Sequence, residues 1–327
     1  GSYSIEVAKA TAYTLNYKKD DNYVVQSLPL ENVESNVDNA NIVLPNSKHR
    51  VNFDPNDVNR VVYYLWNSQS EQYDKLNASD FEVEYNSPLQ FKVEPTENYH
   101  LNSVTYNGQP VSKIDGTENE FVIPQIKENS TVTVNITDRP TVTAEVIIPE
   151  NVDANDYWAQ KKDIKYSSAP ENTVYFLYVP EGTSTGEPTI DDIVAEGSIV
   201  ASGEGTQSVT QNGVAYFCVK DQNGAFSASV VKYPVDKIDT TAPKGSTPFI
   251  AINNGKTTLT ANVSDDSSGI DKVYISKDGY TEAAILEATN SNTFVLSEAS
   301  VSNINTYSVF VVDKAGNRFS YPLENIF

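Results

Sequence analysis

The chain has 327 residues, a net charge of -21 and arginine only at 50, 60, 139 and 318. That balance argues against nucleic acid and anionic membrane surfaces, which need clustered Lys and Arg. A single cysteine, Cys218, excludes an intrachain disulfide, and 39% hydrophobic content fits small sandwiches with much polar surface.

The first segment, residues 1–79, is read as a β-rich region and a candidate recognition surface. Gly1-Ser2 reads as a cloning remnant, so the chain is expected to be a piece of a larger protein. Its clearest strand is Val61-Val62-Tyr63-Tyr64-Leu65-Trp66-Asn67. A strand alternates its faces, so Val61, Tyr63 and Leu65 share one side and Val62, Tyr64 and Trp66 the other. Two readings are open. A strand buried on both faces makes all of these core residues. A strand with one open face presents Tyr64 and Trp66 to a ligand, with Asn67, Gln69 and Tyr73 nearby.

Residues 80–138 read as a small β unit. Phe81-Val83-Tyr85, Leu89-Phe91-Val93, Phe121-Ile123 and Val132-Val134-Ile136 alternate. Asn107-Gly108 predicts a tight hairpin.

Residues 139–238 and 239–327 read as two copies of one sandwich. Strand Val214 to Val219 runs into Asp221-Gln222-Asn223-Gly224, and strand Tyr307 to Val312 runs into Asp313-Lys314-Ala315-Gly316, 92 residues later. That offset is the size of one β-sandwich domain. Ile190 to Gly197 predicts a helical turn. Leu259, Ala261 and Val263 alternate in the last copy, and Lys277-Asp278-Gly279 predicts a hairpin turn. Cys218, flanked by Phe217 and Val219, reads as a small core residue.

These copies resemble the bacterial immunoglobulin-like repeats of Gram-positive surface proteins. The residues that carry the resemblance are Trp158, the Asp221–Gly224 turn, Asp239-Thr240-Thr241-Ala242-Pro243 and Ser268-Gly269-Ile270. Residues 80–138 resemble the internalin-type B repeat through Leu89 to Pro95, Val104 to Gly108 and Ile123 to Val134. The resemblance implies an elongated all-β chain: tandem immunoglobulin-like sandwiches preceded by one or two small β-rich domains. It implies a secreted or cell-surface location and no catalytic residues, and it makes Trp158 a core-lining aromatic.

Asp265, Asp266 and Asp271 cluster about one turn, with Asp313 able to approach from a later strand. Calcium takes about six to eight oxygens, so these carboxylates are the candidate Ca2+ ligands; no other cofactor is implied. Lys272 or Lys256 with Asn317 is the candidate pair for a Lys–Asn cross-link. The expected function is a non-catalytic adhesin or spacer scaffold, monomeric and without membrane insertion. Its partner is expected to be a polysaccharide, a host or cell-surface glycan, or a protein. The alternative is a carbohydrate-binding region accessory to glycan degradation.

Overall fold

Alternating residues of period two, broken by Asn, Asp and Gly, give short antiparallel strands joined by tight turns. A computed structural model describes residues 10–17, 26–33, 47–54, 59–183, 186–254, 256–297 and 303–326. The chain divides between Arg139 and Pro140 into two compact units.

In the first unit, β1 (Ala10–Tyr17) and β2 (Gln26–Val33) pair as a separate antiparallel ribbon. The rest is a two-sheet sandwich. Its strands are β3 (Lys48–Phe53), β4 (Val61–Asn67), β5 (Gln72–Lys75), β6 (Asp80–Glu84) and β7 (Leu89–Pro95). They continue with β8 (Tyr99–Tyr106), β9 (Gln109–Pro110), β10 (Glu120–Ile123) and β11 (Ser130–Asp138). One sheet runs β10-β7-β4-β5 and the other β6-β3-β11-β8-β9. The inward faces meet in one core, with Val51, Phe53, Phe91, Val93, Ile126 and Val132 fully buried. Phe53 sits at its centre, with ring centroids 4.5 Å from Tyr63 and 5.2 Å from Phe91.

This arrangement corrects the boundary expected near residue 79. Strands from both sides of it share both sheets. β3 pairs antiparallel with β6 and parallel with β11, with Val51 opposite Ser130. Such a distant parallel pairing leaves no local mark on the sequence. At Asn107-Gly108 the expected hairpin is present, with φ of 48° and 79°.

The second unit holds two sandwiches. The first comprises β12 (Thr143–Val146), β13 (Lys162–Ser167), β14 (Thr173–Pro180), the helix α1 (Ile190–Glu196), β15 (Ser198–Ile199), β16 (Glu204–Val209), β17 (Gly213–Lys220) and β18 (Val231–Val235). Sheets β12-β13-β16 and β15-β14-β17-β18 enclose Ile164, Tyr166, Val174, Phe217 and Val219. β17 is buried on both faces because α1 lays Ile193 over Tyr216 and Cys218 on its outer side. The helix is short but well capped: Thr189 and Asp192 each bond the other's backbone N–H. Burial pushes the Cys218 thiol up to about 11, which fits a structural residue. Trp158 departs from expectation. It is half-buried and lies outside the core, whose aromatic filling comes from Tyr166, Phe176 and Phe217.

The last sandwich comprises β19 (Lys244–Gly245), β20 (Phe249–Asn253), β21 (Lys256–Ser264), β22 (Ile270–Ser276), β23 (Ala284–Asn290), β24 (Thr293–Leu296), β25 (Ser308–Asp313) and β26 (Arg318–Pro322). The strand path runs β19-β21-β24-β23-β22-β25-β26, with β20 also on β21. β23 serves both layers, pairing through Ala284 to Leu286 with β22 and through Glu287 to Asn290 with β24. Leu259, Ala261, Val263, Val273, Ile275, Val309 and Val311 fill the centre, as their alternation predicts.

Candidate functional site

The four-stranded sheet of the first unit has one buried face and one open face. Along β4 the inward residues are Val61 and Tyr63, both buried, and Leu65, which packs on the core. Val62 and Tyr64 are half-buried on the other side, and Trp66 is 37% exposed. The reading with an open face therefore holds, and the strand buried on both sides does not.

Strand register sets what stands beside these residues. Trp66 lies opposite Tyr73, and Tyr64 lies between Lys75 on one neighbour and Lys92 on the other. Farther across, Glu120 faces Lys92 and Val122 faces Gln90. The Trp66 and Tyr73 rings meet edge to face with centroids 5.1 Å apart. Tyr73 is fixed at its other end as well. Its hydroxyl donates to Glu120 Oε2 at 2.8 Å and accepts from Gln90 Nε2 at 2.8 Å. Burial pushes its phenol up from the ordinary value, and the Glu120 carboxylate pushes the same way against the Gln90 amide.

The central charges of this face, Lys92 and Glu94, are paired. Lys92 forms an ion pair with Glu94 and lies 5.9 Å from the centre of the Tyr64 ring. Glu94, held low by Lys92, also accepts from the Tyr64 hydroxyl, which raises that phenol. Beside the aromatics, the end of the β4–β5 hairpin bounds a cleft of about 380 Å³ that Trp66, Asn67, Gln69, Asp74 and Lys75 help to line. That volume lies at the lower end of the usual range for ligand clefts, roughly 300 to 1,000 Å³.

Asn67 lines the cleft and is also bonded within the hairpin. Its amide donates to Asp74 Oδ2 at 2.8 Å, and its carbonyl accepts from the Gln69 N–H at 3.0 Å. It holds the hairpin end, and Ser68, Gln69, Asp74 and Lys75 are the exposed polar residues of the cleft. Lys75, Gln90, Glu94 and Glu120 were not singled out in the sequence. The signal that finds them is β-register, since all four point outward on the other strands of the same sheet.

A second polar constellation lies in the last sandwich. Asp239, Asp265 and Asp313 each bring a carboxylate oxygen within 4.8 Å of the other two. Asp239 and Asp313 are 3% and 1% exposed. Of the expected calcium ligands only Asp265 is in this group. Asp266 pairs with Lys244 at 2.8 Å, and Asp271 is exposed and outside the trio.

The trio's oxygens face N–H donors. Asp239 accepts from the N–H groups of Thr241 at 2.9 Å and Ser268 at 3.1 Å. Asp265 accepts from Ser267 at 3.0 Å and Gly269 at 2.8 Å. Asp313 accepts from the Asn317 N–H at 2.8 Å and its side-chain amide at 2.9 Å. Burial, reinforced by the other two carboxylates, raises Asp313 above the usual carboxylate range despite the Asn317 bonds.

The two Asp-x-x-Gly turns share one bonding pattern. In each, the Asp N–H donates to the carbonyl four residues on, and the Gly N–H donates back to the Asp carbonyl. Each Asp side chain accepts from the N–H four residues on, at 2.8 Å in both turns. The copies differ at that fourth position, Ala225 in one and Asn317 in the other. Only Asn317 can reach further, and its Nδ2 donates to the Asp239 carbonyl at 2.9 Å. The linker is thereby tied to the last turn. Lys314, in the same turn, pairs with Asp156 of the preceding sandwich at 3.2 Å. As for a cross-link, Lys272 pairs with Glu282 and Asn317 spends its amide on Asp239 and Asp313.

A family described as a domain of unknown function, DUF7743, matches residues 237–327. No curated protein matches. Among solved structures, a tetra-tandem repeat in the extending region of a large adhesion protein is 10% identical, with 84% of this chain and 73% of that one covered and a TM-score of 0.23. The central fibronectin-III array of a RIM-binding protein is 8% identical, with 97% and 99% covered and a TM-score of 0.19. The chain is all-β, with two β-sandwiches in its second unit.

Proposed function

We propose that this chain is a non-catalytic, extracellular scaffold of the adhesin or spacer kind, from the surface of a Gram-positive bacterium. The tandem sandwiches of the second unit act as the presenting element, and the open sheet face of the first unit makes contact. The observation that carries this reading is the face around Trp66, Tyr64 and Tyr73. It is an aromatic surface on a sheet that is packed on its other side, with its hydrogen bonds fixed in advance. Rigid, pre-paired surfaces lose little entropy on binding. Asn317 supports the spacer half, because its amide fastens the linker at Asp239 to the last turn of the sandwich that follows.

Adherence of the labelled chain to cell surfaces tests the reading. Trp66→Ala is expected to abolish adherence. A control change at another exposed aromatic, Tyr280→Ala in the last sandwich, is expected to leave it intact (Tyr280 is 83% exposed). Equal adherence of all three proteins would refute the assignment of the contact face.

A further inference from the structure

The contact face offers a ligand three things. Trp66 supplies a large planar apolar surface, partly exposed and braced by Tyr73. Tyr64 repeats an aromatic ring two residues along the same strand, half-buried on the same side. The cleft beside Trp66 adds the amide of Gln69 and the ammonium of Lys75, while Asp74, opposite Leu65, stands on the strand's other side. A small set of polar groups beside an apolar platform fixes a ligand that is itself part apolar, part hydroxylated. A pyranose has that character, with C–H faces and an equator of hydroxyls.

Charge narrows the class. Lys92 is matched by Glu94, and the exposed Lys75 beside Tyr64 stands against the Glu120 carboxylate, so these outward groups sum to no net charge that would draw a ligand ion. An acidic glycan would also meet a chain of net charge -21. A protein partner would want a broad apolar core, yet the large apolar side chains exposed on this face are Trp66 and Val122, at 37% and 38%. We infer that the outer face of the first unit's four-stranded sheet binds an uncharged polysaccharide, with a sugar ring stacked on Trp66 and hydroxyls bonded in the adjoining cleft. The inference rests on the contact-face reading and names its ligand.

Tyr73 is a positioning residue in this account. Glu120 and Gln90 hold its hydroxyl, and its ring in turn holds the indole. Tyr73→Phe keeps the ring and loses both bonds, so it should loosen the platform without removing it.

The test is affinity electrophoresis of the whole chain through gels containing a β-glucan, a mannan, a galactan or an acidic pectate. At least one neutral polymer should retard the protein. Trp66→Ala should weaken retardation about tenfold or more, the equivalent of one strong aromatic contact. Trp66→Phe and Tyr73→Phe should fall between it and the unmodified chain. Thermal midpoints of the variants check that the fold is retained, and Trp66→Phe keeps the test sound if the alanine variant is unstable.

Retardation by pectate alone, by no polymer, or equally for Trp66→Ala would overturn the inference. Repeating the adherence assay on periodate-oxidised cells separates the two levels. Trp66-dependent adherence that survives oxidation removes the glycan and keeps the contact face. Loss of adherence on oxidised cells supports both. Adherence that never depends on Trp66 removes both.

Discussion

Replacing Asn317 by alanine should unlatch the last sandwich from its own linker. Asn317 is 9% exposed, and its Nδ2 donates to the Asp239 carbonyl and to Asp313 Oδ2, each at 2.9 Å. Truncation removes both bonds and leaves two acceptors in a dry site. A bond to a carboxylate contributes about 1.5–3 kcal/mol and a neutral one about 1 kcal/mol, so the expected loss is about 3 kcal/mol. For a sandwich of this size that is a fall of about 10 °C or more in melting midpoint. Urea unfolding and calorimetry measure it. The backbone bond from Asn317 to Asp313 survives in the variant, and Ala225 shows that alanine fits the same turn. Asn317→Asp makes the diagnosis sharper. It deletes the same donor and adds a fourth carboxylate, so it should cost more than alanine at neutral pH and recover on acidification. A loss under about 1 kcal/mol for Asn317→Ala, or indifference of Asn317→Asp to pH, would refute the latch.

Three further outcomes follow from buried charge. Lys162 is 5% exposed, its nearest carboxylate, Asp236, is 4.0 Å away, and burial lowers its pKa despite that partner. Lys162→Met should therefore be neutral or stabilise by about 1 kcal/mol in chemical unfolding; a loss above that would show the ammonium to be a net contributor. Asp313 has a folded pKa above its unfolded value, so the folded state binds the extra proton. Its contribution is fullest below the unfolded pKa and is lost as pH rises through the folded one. Relative to Asp313→Asn, the unmodified chain should gain stability as pH falls through that window, and a gap that narrows instead would contradict the assignment. Because N–H donors already face the trio's oxygens, calcium and EDTA should leave the midpoint of the last sandwich unchanged. A rise with calcium would recast Asp239, Asp265 and Asp313 as metal ligands.

Local features of this fold were legible in the sequence. Alternation at Leu259, Ala261 and Val263 and the Asn107-Gly108 and Lys277-Asp278-Gly279 turns each depend on neighbours along the chain, so pattern reading finds them. The repeated Asp-x-x-Gly turns were legible too, down to one shared set of hydrogen bonds. What stayed hidden depends on distant partners. The single core of residues 51–136 comes from β3 lying between β6 and β11. Asp239 joins Asp265 and Asp313 because the linker folds back beside two later turns. In the candidate site, Trp66 and Tyr64 were found by alternation along one strand. The bond of Asn67 to Asp74 was hidden because that partner lies across the hairpin. Lys92, Glu94 and Glu120, which set the charge of the face, come from neighbouring strands whose register no single strand reveals.

The account turns on Trp66 standing on an open face and being covered by ligand. The chain has two tryptophans, so Trp158→Phe leaves Trp66 as the only indole reporter. Acrylamide quenching of that variant should be appreciable in buffer and should fall, with a saturable blue shift in emission, as a neutral polysaccharide is added. An indole already shielded in buffer, or one whose quenching no polysaccharide changes, would contradict the account.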